Sequence, residues 1–186
     1  LSENIISENK DIGSISTSSD TEVEENVEVT VKGDVNSTGQ LLIRTGAAMT
    51  IQGNLILSSN TLCIEEGASL TVKGNVILTA TDVTLDGQWT IRQDAKLDKG
   101  TVSGTGNLIL KGDLENNASI SDLRQISLSG KAPITISGVD IHAGIVEADN
   151  SSTGGVELLS KIYYSEQCNI ADNCKITGNA PMEETK

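Results

Sequence analysis

The run VTVKGDV at Val29–Val35 recurs as MTIQGNL at Met49–Leu55 and as LTVKGNV at Leu70–Val76. Looser copies follow as WTIRQDA (Trp89–Ala95), LILKGDL (Leu108–Leu114) and ISLSGKA (Ile126–Ala132). Their turn position falls at Gly33, Gly53, Gly74, Gln93, Gly112 and Gly130, at intervals of 18 to 21 residues. A second motif lies between the copies: LLIRTGA (Leu41–Ala47), LCIEEGA (Leu62–Ala68) and VTLDGQ (Val83–Gln88), 21 residues apart. Two motifs sharing one period mark a chain that builds the same supersecondary unit repeatedly. A sandwich or barrel also uses short alternating strands, but it does not require self-similarity from one strand to the next.

Within each motif apolar and polar residues alternate, as in a strand with one buried face. Val31, Ile51 and Val72 are therefore expected to point inward, one directly above another. Thr30, Thr50, Thr71 and Thr90 are expected to form an outward column. In the second motif the inward pairs are 41/43, 62/64 and 83/85, which leaves Cys63 outward between Leu42 and Thr84. A third short strand is expected after each Gly turn, as at Leu55–Leu57 and Val76–Leu78. Two or three strands per 20 residues describe one coil of a solenoid, whose inward face is buried only when coils stack. With no Phe, one Trp and two Tyr, the core has to be aliphatic. Trp89 falls at an inward position. The 18 glycines are read as turn residues supplying positive φ.

The fold expected is all-β: a single-stranded parallel β-helix with coils of about 18–21 residues. No hexapeptide repeat is present and coil length drifts, which favours the right-handed form. Residues 1–28 read as an acidic, Ser/Thr-rich lead-in or linker, because SISTSSD and TEVEEN offer little to bury. Residues 29–147 carry the coils. Residues 148–186 read as an irregular cap or the start of further coils, with Val156–Tyr164 either a short helix or a strand.

The formal net charge is −13, and the first 28 residues hold eight acids against one base. Without a basic cluster in sequence, nucleic acid is an improbable partner, since phosphate binding needs Lys and Arg to displace counterions. No apolar run is long enough to span a membrane. No signal peptide is visible, and the start at Leu1 is read as a leader already removed. Three cysteines leave at least one thiol free in a monomer. The spacing of Cys168 and Cys174 permits a local disulfide.

Candidate chemistry is sparse. The outward acids Glu65, Glu66, Asp82, Asp86, Asp94 and Asp98 read as solvated turn residues rather than the paired carboxylates of a glycosidase. His142, the only histidine, lies in DIHAG, which resembles no nucleophile motif. The corner residues Asp34, Asn54, Asn75, Asp94 and Asp113 repeat with the coil. They either hold Ca²⁺ on stacked oxygens or bond to nearby backbone, and the second reading is favoured. The Thr column is flanked by Lys32, Gln52, Lys73 and Arg92, so it reads as ordinary exposed strand rather than an ice-binding array.

The three VTVKGDV-type runs, with LxIxxGA between them, resemble the coils of bacterial surface right-handed β-helix proteins. That group includes the filamentous-haemagglutinin-like adhesins and the pectin-lyase-like superfamily. The resemblance covers Val29 to about Gly138 and implies architecture more than activity, because the group includes adhesins, sugar-binding modules and polysaccharide-cleaving enzymes. The function expected is a non-catalytic, extracellular structural or adhesive module, whose partner is a polysaccharide or a host or cell-surface protein. A carbohydrate-binding β-helix, assisted by calcium, ranks second. A polysaccharide lyase or hydrolase ranks third. No catalytic residue and no cofactor is assigned.

Overall fold

A computed structural model describes residues 4–185. Twenty-one strands form one continuous sheet, every pairing parallel, and no helix occurs among the described residues. The chain is a parallel β-helix of about nine coils. At the usual strand separation of about 4.8 Å, nine coils make a rod roughly 40 Å long.

Each coil turns through three faces. In a middle coil the first face is Leu41–Ile43, the second Ala48–Ile51 and the third Leu55–Ser58. Strands on a face pair with their equivalents one coil above and below. Val31 pairs with Ile51 and Ile51 with Val72, so the inward stack is as expected. Thr30, Thr50, Thr71 and Thr90 are likewise partners in register. Cys63 sits outward between Leu42 and Thr84. Higher up, strands run through corners and fuse, as in Val76–Leu85, Ala95–Leu110 and Leu114–Leu128.

The core is a set of aliphatic stacks. Met49, Leu70, Trp89 and Leu108 form one of them, all fully buried. Alternation explains why 37% hydrophobic residues suffice. Every second residue of a strand faces in, and its neighbours are supplied by adjacent coils.

Residues 4–28 are not a linker. Asn4–Ile6, Lys10–Ile12 and Ile15–Thr17 form the first coil and pair with the second. Its inward residues are Ile6, Ile12 and Ile15, while its acids point outward. Average composition obscured this because one or two apolar residues per strand are enough when the next coil covers them. Residues 1–3 of the expected lead-in lie outside the described residues. At the other end the coils continue through Val156–Leu158, Ile162–Ile170, Ile176–Gly178 and Met182–Glu183. Val156–Tyr164 is thus strand and turn, not helix.

The turn glycines work differently from expectation. Of Gly33, Gly53, Gly74, Gly112 and Gly130, only Gly130 has positive φ (93°). At Gly53 a Cβ would lie 2.6 Å from the Gly33 carbonyl oxygen, and at Gly74 2.4 Å from that of Gly53. These positions need Gly for close stacking of one corner on the next. Backbone amides there donate down the column from Gly74 to Gly53 and from Gly53 to Gly33. Positive φ belongs instead to Gly46 and Gly67 of the RTGA and EEGA turns.

Candidate functional site

The corner residues form a ladder. The Asn54 amide donates to Asp34 Oδ1 (2.8 Å), Asn75 to Asn54 Oδ1 (2.8 Å) and Asp94 to Asn75 Oδ1 (3.0 Å). Asp113 then donates to Asp94 Oδ1 (3.0 Å) and Thr135 to Asp113 Oδ1 (2.8 Å). Each side chain caps the backbone N–H of the coil above. These oxygens are directed at amides rather than at a common cation position. No group of three or more His, Cys, Asp or Glu side chains converges as a metal site among the described residues.

Three of the other outward acids are similarly engaged. Glu65 accepts from the Thr45 amide and pairs with Arg44. Asp86 accepts from the Thr105 amide, and Asp82 from the Thr101 hydroxyl. Arg44 also bonds Glu22, and this partner is the main cause holding its guanidinium pKa above the ordinary value.

His142 lies in a groove of about 400 Å³ on the first face near the C-terminal end, with Asp122, Arg124, Glu166 and Glu184. Its Nδ1 is 2.8 Å from Glu184 Oε1, and its ring stacks on Tyr163 with centroids 4.8 Å apart. Arg124 pairs with Glu166 at 3.9 Å. No Ser, Thr or Cys side chain is hydrogen-bonded to His142 among the described residues. The imidazole ties the last short strand, Met182–Glu183, to the coils below it.

Cys168 and Cys174 are not joined. Cys168 pairs in register with the inward Val146, and Cys174 is buried at the same end of the core. Both fill apolar space left by the last coils, and burial holds both thiols above their ordinary pKa.

The chain matches no protein-family model, and no curated protein or solved structure matches it. The surface itself therefore carries the functional argument.

Lys32, Gln52, Lys73, Arg92 and Lys111 follow the inward residue at the end of each second-face strand. Their amides donate to the coil below: Lys73 to Ile51 O (2.8 Å), Arg92 to Val72 O (3.0 Å) and Lys111 to Ile91 O (3.0 Å). Winding thus stacks cations that stand about 20 residues apart in sequence. The repeat alone places Lys32, Gln52, Lys73 and Arg92 beside the Thr column, and the fold adds Lys111. Beside it runs the Thr column, continued by Ile109 and Ser127. Beyond that comes a column of amides, Gln88, Asn107 and Gln125.

Proposed function

We propose that this chain is a non-catalytic structural and adhesive module of a secreted or surface-attached bacterial protein. It acts outside the cell. The observation that supports this most directly is the use made of the polar corner groups. Asp34, Asn54, Asn75, Asp94 and Asp113 are spent on coil-to-coil hydrogen bonds along the rod. Such ladders stiffen a spacer; they do not assemble an acid–base pair. The resemblance of the Val29–Gly138 coils to bacterial surface β-helices supports the same reading, and the strong right-handed bias of parallel crossovers supports that hand.

The test uses beads coated with the chain, exposed under flow to surfaces bearing plant and host polysaccharides or intact cells. Retention above albumin-coated beads is expected, and retention equal to albumin on every surface overturns the adhesive role. A reducing-sugar assay on pectins and related acidic glycans is expected to show no turnover. Turnover abolished by His142→Ala would place chemistry in the first-face groove instead. The carbohydrate-binding alternative is favoured by one specific surface, the stacked cation, hydroxyl and amide columns of the second face. Because backbone amides occupy the corner oxygens, binding is expected to be the same with and without EDTA.

A further inference from the structure

We propose that the second face, from the coil of Met49 to the coil of Ile126, binds a linear acidic polysaccharide laid along the rod axis. This rests on the adhesive reading above and names its ligand class.

The chain carries −13, yet no outward position of this face holds Asp or Glu in five successive coils. Acids lie on this face beyond the strip, at Asp11 (paired with Lys32) and Glu28 below it and at Glu147 and Asp149 above. Within it, Lys73, Arg92 and Lys111 stand one above another. Lys131 joins Arg92 and Lys111 around a concavity of about 760 Å³ whose one acid is Asp149, at its upper edge. None of these four cations makes an ion pair among the described residues. Asp94 and Asp113 lie around the corner, two residues further along, with Oδ1 held by backbone amides. Like charges stacked in register oppose folding, so a column of them on an acidic protein calls for an external anion.

Successive cations repeat at the coil rise, about 4.8 Å, close to the rise of one sugar unit in an extended glycan. On the opposite edge of the strip, Gln88, Asn107 and Gln125 line a shallow groove of about 390 Å³ together with Arg124 and with Asp86, whose Oδ1 accepts from the Thr105 amide. Ser127 donates to Asn107 Oδ1 and accepts from Gln125 Nε2, and the donor and acceptor capacity left on these carboxamides and on Gln88 suits sugar hydroxyls. Anionic groups would meet the cation column while hydroxyls meet the amides. Single-stranded nucleic acid fits less well, because it uses aromatic stacking platforms and this face has none. Tyr163 and Tyr164 belong to the first face.

The test measures binding of the full chain to polygalacturonate (carboxylate) and heparin (sulfate), with dextran and oligo-dT as comparison polymers. Saturable binding to at least one acidic glycan, weakening with added salt and unaffected by EDTA, is expected. The two glycans distinguish carboxylate from sulfate as the anionic group. The triple variant Lys73→Gln, Arg92→Gln, Lys111→Gln should bind about tenfold more weakly. The variant Lys96→Gln, Lys161→Gln, Lys175→Gln removes the same charge elsewhere and should bind as the parent does. Circular dichroism of both variants checks that the coils are intact. If the triple variant does not fold, Gln52→Lys, which lengthens the column by one cation, decides by tightening the binding. Binding no stronger than to dextran overturns the proposal. So does equal loss in the two triple variants, unchanged affinity in Gln52→Lys where that variant decides, or oligo-dT bound as well as either glycan. If beads adhere but the second-face variant adheres equally, the ligand assignment fails while the adhesive role stands; if nothing adheres, both fail.

Discussion

Trp89 is the largest side chain in the core and is fully buried between Leu70 and Leu108, with no partner for its indole N–H. An unsatisfied buried donor costs about 1–3 kcal/mol, so the residue is retained for its volume. Trp89→Ala should destabilise the chain by about 3–5 kcal/mol, read by urea unfolding. Trp89→Phe should cost clearly less, because it keeps most of the ring and removes the orphan N–H. As the only Trp, it should also emit at short wavelength and resist iodide quenching until the rod unfolds. The corner glycines give a second residue-scale contrast. Gly74→Ala places a Cβ against the carbonyl of Gly53 and should cost about 1–3 kcal/mol. Gly13→Ala meets nothing within 4 Å and should be near neutral in the same assay. Cys63 is the outward thiol of the first face. Burial, followed by the charges of Glu65 and Asp86, raises its pKa against the opposing Arg44. At pH 8 it should therefore alkylate with iodoacetamide more slowly than glutathione does.

Strands and corners are stabilised by different means. A strand gains from apolar stacking inside and from the parallel ladder along its edge. A corner has little apolar surface to bury, and its amides would otherwise lack partners on the inner side of the turn. The Asp/Asn ladder supplies those partners once per coil. Asn75→Ala removes the acceptor of the Asp94 amide and should lower stability by about 1 kcal/mol. Adding EDTA should leave the thermal midpoint of the parent unchanged, since the ladder is made of N–H···O bonds. A fall of several degrees on chelation would instead indicate a cation at the corners. The periodicity of these residues is legible in sequence. Their partners are not, because each bond joins residues about 20 positions apart.

At the scale of the molecule, a rod whose coils touch only their neighbours unfolds from places with the fewest neighbours. Ile12 and Ile15 at one end, and Cys168, Ala171 and Ile176 at the other, are only partly buried. The stacks from Leu41 to Leu128 are covered above and below. Amide hydrogen exchange should accordingly be slowest in the middle coils and fastest in the first and last, over a graded range rather than as one cooperative block. Uniform protection from Asn4 to Glu183 would show that the ends are held as firmly as the centre. The charge distribution is also a property of the whole rod. From the coil of Met49 to that of Ile126 the outward positions of the second face hold cations and no acid, whereas Lys32 in the coil below pairs with Asp11.

Alternation and period, which are local and additive, determine from sequence alone that this chain forms short strands, that the strands stack coil upon coil, and that Val31, Ile51 and Val72 share a column. Those signals survive because a strand's two faces differ at every residue. The first coil escaped them, since its few apolar residues become a core only when the second coil covers them. Which glycines need close approach rather than positive φ, where Cys168 and Cys174 go, and which cations meet were decided by the tertiary structure. Each depends on the vertical distance between coils, a quantity set by sheet hydrogen bonding between residues distant along the chain.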